Sequence, residues 1–415
     1  MSNIEWTDVS WNPVRGCSRV SKGCENCYAE RQAIRHAGPG GAYEGLVKTV
    51  NGHPVWTGAV RCVPAMLEKP QHWRNPRMIF VNSMSDLFHP SVPFDFIDRV
   101  MAVMASCPQH TFQILTKRPA RMLEYFLGGD APCGINGREE LIRVALTTSH
   151  APPGKWCSSI AWPLPNVWLI VSVEDQDTAN ERLPLLEQTP AAVRGVSCEP
   201  LLSHVDLGPW LGGYATPFIE QALAALDWVI VGGESGPGAR PCRVEWIRDV
   251  RQQCQDAGVA CFIKQMGAQP VADQPETMMD WAKHARFIGR GDGLANVKLQ
   301  SRKGGDMSEW PKDLRVRQYP VGEIWKFTML LESWLAMLKE IHDVVRELVG
   351  DVKPIGETRA DENRLENLKI LCDLTEELIM DINDVYMGDE NSSEDSRKKA
   401  AKYAGEFFDR NEIAK

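Results

Sequence analysis

The chain has 415 residues, 43% hydrophobic and 24% charged, with a net charge of −9, which is ordinary for a soluble globular protein of one large or two smaller domains. No run of eighteen apolar residues occurs, which excludes a helical membrane span, and the opening MSNIEWTDVSWNP carries two acidic residues and no apolar block, so a cytoplasmic protein is expected. Residues 321–415 hold 13 Lys and Arg against 22 Asp and Glu, leaving 33 of each in residues 1–320, so the basic character that non-specific DNA binding needs is missing.

The first dozen residues predict a strand. Next comes GCSRVSKGCENCYAE, residues 16–30, which places Cys17, Cys24 and Cys27 within eleven positions. The other nine cysteines are scattered, and Cys107, Cys198, Cys254 and Cys261 sit in or beside apolar segments, where a thiol packs as a small hydrophobe. A long chain in a reducing compartment calls for no disulfide framework. Residues 38–76 are rich in loop-forming residues and are expected to be irregular.

From Arg77 onward a theme repeats: a short apolar run rich in β-branched residues, then polar residues, then in several cases a helical pattern. The runs are MIFVNS, TFQILTK, VWLIVSVE, AVRGVSCE, WVIVGGES and CFIKQ, with helices expected over PFDFIDRVMAVMAS and RVEWIRDVRQQCQDAG. Runs that are apolar throughout are what burial on both faces of a parallel sheet produces. With the early strand this predicts an α/β chain: a full or partial (β/α) barrel of six to seven βα units, with an open doubly wound sheet as the alternative. A Gly- and Pro-rich insertion, residues 127–165, interrupts the pattern.

The barrel with its cysteine loop is expected over residues 1–270, an extension of that core over 271–320, and an acidic α-helical appendage over 321–415. In the last segment Trp325, Leu331, Trp334, Leu338 and Ile341 share one helical face, as do Leu365, Leu368, Leu371, Leu374 and Leu378.

Each barrel strand is followed by groups able to do chemistry. They are Asn82, Ser83, Ser85 and Asp86; Thr116, Lys117 and Arg118; Ser172, Glu174 and Asp175; Ser197 and Glu199; Gly232, Gly233 and Glu234; and Lys264 with Gln265. Parallel βα units bring all C-terminal strand ends to one face, which is therefore the expected active site. Glu199 and Glu234 follow apolar strands so closely that burial would oblige them to find partners.

Three thiolates can hold zinc or an iron–sulfur cluster, and the choice turns on a fourth ligand. The pair Cys24-x2-Cys27 points both sulfurs at one site, and Ser18, Ser21 and Gly23 allow Cys17 to turn back to it. His36, His53 and Cys62 are the fourth-ligand candidates for zinc, and none supplies a second close pair. A cubane on three cysteines leaves one iron open, the arrangement that binds S-adenosylmethionine in radical enzymes.

The segment WNPVRGCSRVSKGCENCYAE, with VNSMSDLFH, FQILTKRPARM, VSVEDQ, SCEPLL, VIVGGESGPGARP, FIKQMG and GGDMSEWPKDLRVR, resembles the phage-associated three-cysteine-motif family of unassigned function. That family in turn resembles radical S-adenosylmethionine enzymes, especially the spore photoproduct lyase-like group, though the first spacer here is six residues long and Gly232-Gly233-Glu234 lies late in the chain. The resemblance implies a [4Fe–4S] cluster on Cys17, Cys24 and Cys27, S-adenosylmethionine as cofactor, a separate three-Cys-motif partner protein and an electron donor.

On that reading Asn82, Ser85 and Asp86, or the Gly232-Gly233-Glu234 turn, contact the cofactor. Glu174, Glu199 and Lys117 are the catalytic candidates, positioning substrate or relaying protons. Lys117 and Arg118, with Lys264, favour an anionic substrate such as a nucleotide or nucleic acid. A structural ion pair of these cations with Glu174 or Glu199 fits equally well. The competing function is a non-catalytic binding module whose zinc or cluster only stabilises the N-terminal loop and which recruits a protein partner.

Overall fold

A computed structural model describes residues 4–128, 163–212, 226–273 and 285–320. The chain divides into two units, Met1–Pro320 and Val321–Lys415. The second unit, where the acidic helices are expected, and residues 129–162 of the expected insertion lie outside the described residues.

Seven strands form one sheet: β1 (Val9–Trp11), β2 (Met78–Val81), β3 (Thr111–Thr116), β4 (Val167–Val173), β5 (Val193–Cys198), β6 (Trp228–Gly232) and β7 (Ala260–Gln265). They pair in sequence order and every pair is parallel. The sheet curls into a half-barrel whose edges are β1 and β7, so the barrel is partial. Helices α1 (Tyr28–Ala33), α2 (Phe94–Ala105), α3 (Pro119–Leu127), α4 (Gln176–Glu187) and α5 (Val244–Asp256) occupy the connections.

The two faces of the sheet explain the unbroken apolar runs. All seven residues of β4 are buried. Leu169, Val171 and Val173 pack outward in one core with Val100 and Met101 of α2 and Leu183 of α4. The alternate residues point into the half-barrel, where aromatic rings gather toward the N-terminal strand ends: Trp228 meets Trp6, Trp168 and Phe262 edge to face at centroid separations of 6.1, 5.5 and 6.2 Å. Toward the other end the inward positions become polar, and Ser172 of β4 stands directly beside Ser197 of β5.

Helix α4 shows how the sequence sets an element boundary. Asp175 is its N-cap: the Thr178 backbone N–H donates to Asp175 Oδ1 at 3.0 Å, and Thr178 Oγ1 accepts from the Asp175 N–H at 3.1 Å, closing a capping box. Asp175→Ala is expected to cost about 1 kcal/mol, seen as a lower urea midpoint with an unchanged slope.

The expected irregular stretch 38–76 contains an antiparallel hairpin, Val47–Val50 with His53–Trp56. Its two turn residues, Asn51 and Gly52, have φ of 49° and 77°, the left-handed pair that a two-residue hairpin turn requires. Val47 and Trp56 form a small separate core with Tyr43, Leu46 and, from α1, Ala29 and Ala33, and Cys17 and Cys27 pack against it. The cysteine loop thus stands on its own apolar base. In the expected extension, Pro270–Asp273, Leu294–Lys298 and Arg286–Gly289 pair antiparallel in a second sheet that also takes in Cys242–Arg243.

Candidate functional site

A cavity of about 930 Å³ lies at the C-terminal strand ends, between the half-barrel and the cysteine loop. Of the residues singled out in the sequence, Cys17, Cys24, Cys27, Asn82, Ser85, Asp86, Lys117, Glu199, Gly233, Glu234 and Lys264 line it. Glu174, Arg118 and Gly232 do not; they stand behind the wall. Ser172 and Ser197 add hydroxyls to the wall, and Trp6 and Phe80, whose rings are 4.7 Å apart, add aromatic surface.

Several strand-end charges are spent on holding the cysteine loop. Behind β3, Arg118 donates from Nη2 to the Ser18 carbonyl and hydroxyl, both at 2.9 Å. His89 contacts the same hydroxyl through Nε2 at 2.9 Å, and its Nδ1 accepts the Ser91 N–H, so Nε2 carries the proton. Burial, with Arg118 nearby, depresses the His89 pKa and keeps the ring neutral. Behind β4, Glu174 accepts from Ser21 Oγ at 2.8 Å. Behind β6, Glu234 accepts from Asn26 Nδ2 at 2.9 Å and from Arg240 Nη2 at 2.7 Å, while Arg240 also reaches Glu25 at 3.0 Å.

These carboxylates obtain the partners their burial demands. Glu174 is fully buried between Lys117 Nζ and Arg182 Nη1, the latter 3.2 Å away. Burial alone would raise its pKa, but the two cations outweigh it and hold the carboxyl below its ordinary range. Glu234 behaves alike: burial pushes upward, and hydrogen bonds from Arg240 and Asn26 bring the pKa down. Asp86, 7% exposed, accepts from Thr116 Oγ1 at 2.8 Å and from the backbone N–H groups of Phe88 and Lys117.

On the opposite wall, Lys264 Nζ sits 3.1 Å from Glu199 Oε2, and both side chains face the cavity. Gly232 makes room for this carboxylate, since a Cβ there would fall 2.7 Å from Glu199 Oε1. Gly233 is equally constrained: a Cβ would lie 2.9 Å from Cys242 Cβ and 3.0 Å from Gly267 Cα. Gly232 thus leaves space for the Glu199 carboxylate, and Gly233 for close backbone packing at the end of β6.

Asn82 is a different case. It has φ of 61°, is 2% exposed, and accepts the Val14 N–H at Oδ1. Its Nδ2 has no protein partner among the described residues. With Oδ1 engaged, the amide of this cavity-lining residue keeps a buried spare donor.

The three cysteines are free thiols, each half-buried. Burial first, and then Asp86, push the Cys17 thiol up to about 12, and burial raises Cys27 as well. Cys17 feels the charge of both Cys24 and Cys27, and Cys27 that of Cys24. Among the described residues no three His, Cys, Asp or Glu side chains are gathered as single-ion ligands. A tetrahedral zinc has Zn–S bonds of about 2.3 Å and so draws its thiolates together, whereas a cubane seats each thiolate on its own iron. Three free, half-buried thiols lining one cavity are a donor set that fits the cluster.

Reading strand ends from the sequence located the cavity wall but missed the partners: Ser21 and Asn26 inside the cysteine loop, Arg182 on α4, Arg240 after β6, and His89. A signal existed for the arginines, because a glutamate directly after a fully apolar strand requires a buried cation.

No curated protein matches the chain in sequence. Three solved structures of spore photoproduct lyase are similar to it in shape. One is a mutant (10% identity, TM-score 0.31, covering 74% of this chain and 72% of that one). Another is a mutant with bound AdoMet and dinucleoside spore photoproduct (10%, 0.32, 74% and 72%). A third is the lyase complexed with dinucleoside spore photoproduct (11%, 0.31, 73% and 70%). A family model covers residues 1–329, and by that match the chain belongs to the DUF5131 family, described as protein of unknown function.

Proposed function

We propose that the chain is a radical S-adenosylmethionine-type enzyme in which Cys17, Cys24 and Cys27 hold a [4Fe–4S] cluster. The observation that carries this is three free thiols lining one cavity at the strand ends; the motif resemblance supports it. A cluster held by these cysteines would supply one electron to the sulfonium of S-adenosylmethionine, whose C5′–S bond would break to leave methionine and a 5′-deoxyadenosyl radical.

The chain's own residues divide the remaining work. Asn82 offers its spare amide donor to an acceptor on the cofactor. Ser85 donates its hydroxyl hydrogen to the Val14 carbonyl at 2.8 Å, which leaves its oxygen as an acceptor toward the cavity. Glu199 and Lys264, held together at the wall, are placed to exchange a proton with substrate. Lys117 and Lys264 suit an anionic group, so a nucleotide- or nucleic-acid-related substrate is the class proposed. An electron donor, a three-Cys-motif partner protein and a separate acidic domain over residues 321–415 belong to the same proposal.

The test is anaerobic incubation of the reduced full-length protein with S-adenosylmethionine. Release of 5′-deoxyadenosine is the expected result. Protein that carries the cluster yet releases none would overturn the enzymatic reading in favour of a metal-stabilised binding module.

A further inference from the structure

We propose that Glu174 is a positioning residue: a rigid peg at the end of β4 that sets where the cysteine loop sits, with Ser21 and Gly23 as the loop's matching surface. The inference deepens the proposed function and rests on it only for what the loop carries.

Glu174 is immobilised on every side. Its backbone N–H donates to Thr178 Oγ1 at 2.9 Å inside the α4 cap, and its carbonyl accepts the Leu202 N–H at 2.8 Å. Its carboxylate is fixed by Lys117, by Arg182 at 3.2 Å and by the Ser21 hydroxyl at 2.8 Å. The loop meets this peg with no clearance. A Cβ at Gly23 would fall 2.5 Å from Glu174 Cγ and 2.7 Å from Cδ. Gly23 has no positive φ, so close approach to Glu174, and no backbone strain, is what requires glycine there.

Ser21 and Gly23 immediately precede Cys24, so their contact with Glu174 transmits the position of β4 directly to a thiol. A carboxylate paired with the part-buried Lys117 and the buried Arg182 cannot swing away to admit a bulkier loop without leaving both cations unpaired. Glu174 therefore acts through the loop and not on the substrate, in keeping with its place behind the cavity wall.

The test uses the full-length protein free of metal, so that it does not depend on the cluster. Lys22, exposed between Ser21 and Gly23, is a tryptic site whose cleavage reports opening of the loop. Ser21→Ala removes a hydrogen bond to a charged acceptor and Gly23→Ala adds a methyl against the peg. Each is expected to speed cleavage after Lys22 about tenfold, with the thermal midpoint of the barrel unchanged. Glu174→Asp withdraws the carboxylate from the Ser21 hydroxyl and is expected to speed cleavage about as much as Ser21→Ala does, with no further gain when the two are combined.

Cleavage at the unaltered rate in both Ser21→Ala and Gly23→Ala, or a Glu174→Asp effect that simply multiplies with that of Ser21→Ala, would overturn the proposal. A parallel measurement on iron- and sulfide-loaded protein is expected to show faster loss of the cluster to a chelator in both single variants. Should the unaltered protein take up no iron, the cluster reading fails, while the cleavage result still decides the role of Glu174.

Discussion

Cys24→Ala, and equally Cys17→Ala or Cys27→Ala, is expected to bring iron content to background and 5′-deoxyadenosine release below detection. The donor set has no spare among the described residues. Among the described residues the nearest cysteine in sequence is Cys62, which pairs with Val14 in a short antiparallel ladder and does not line the cavity. Two thiolates cannot retain a cubane that depends on three. The fold is expected to survive, because each thiol is only half-buried and the loop keeps its contacts to Arg118, Glu174 and Glu234. Far-ultraviolet circular dichroism of the variants should match that of the unaltered protein. Retention of full iron and activity in any one variant would remove that cysteine from the ligand set.

The largest effect on stability is expected from Trp228→Ala. Trp228 is fully buried on the inner face of β6, where Trp6, Trp168 and Phe262 surround its ring and Tyr319 stacks on it at 5.6 Å. Its Nε1 donates to the Gln318 carbonyl at 2.9 Å. Truncation to alanine deletes the ring from the centre of this aromatic cluster and orphans that carbonyl, a loss of about 3–5 kcal/mol. Urea unfolding of the barrel should show it as a lowered midpoint. A change below about 1 kcal/mol would mean that the cluster collapses to fill the space.

The architecture was legible because its physics is local. Runs such as VWLIVSVE are apolar on both faces, and β4 is buried at every position. Whether the barrel closes was not legible: that depends on β1 and β7 remaining edges, which no property of either strand announces. The hairpin at Asn51-Gly52 was readable from its turn residues and was passed over because the surrounding stretch is otherwise rich in loop formers.

The site divides in the same way. That strand ends would converge followed from parallel topology, and most of the named residues do line one cavity. What a strand-end charge does there is set by partners distant in sequence. Arg118 looked like an anion-binding group and bonds Ser18; Glu234 looked like a cofactor contact and is occupied by Arg240 and Asn26. Ser18 lies 100 residues from Arg118 and Asn26 lies 208 from Glu234, so residue type alone could not separate an anchor from a reactive group.

Iron, sulfide and zinc analysis of the full-length protein purified without oxygen bears most directly on the role of the three cysteines. About four iron and four sulfide per chain are expected, both lost in Cys24→Ala. Colourless protein with one equivalent of zinc and no sulfide would contradict a radical role for Cys17, Cys24 and Cys27.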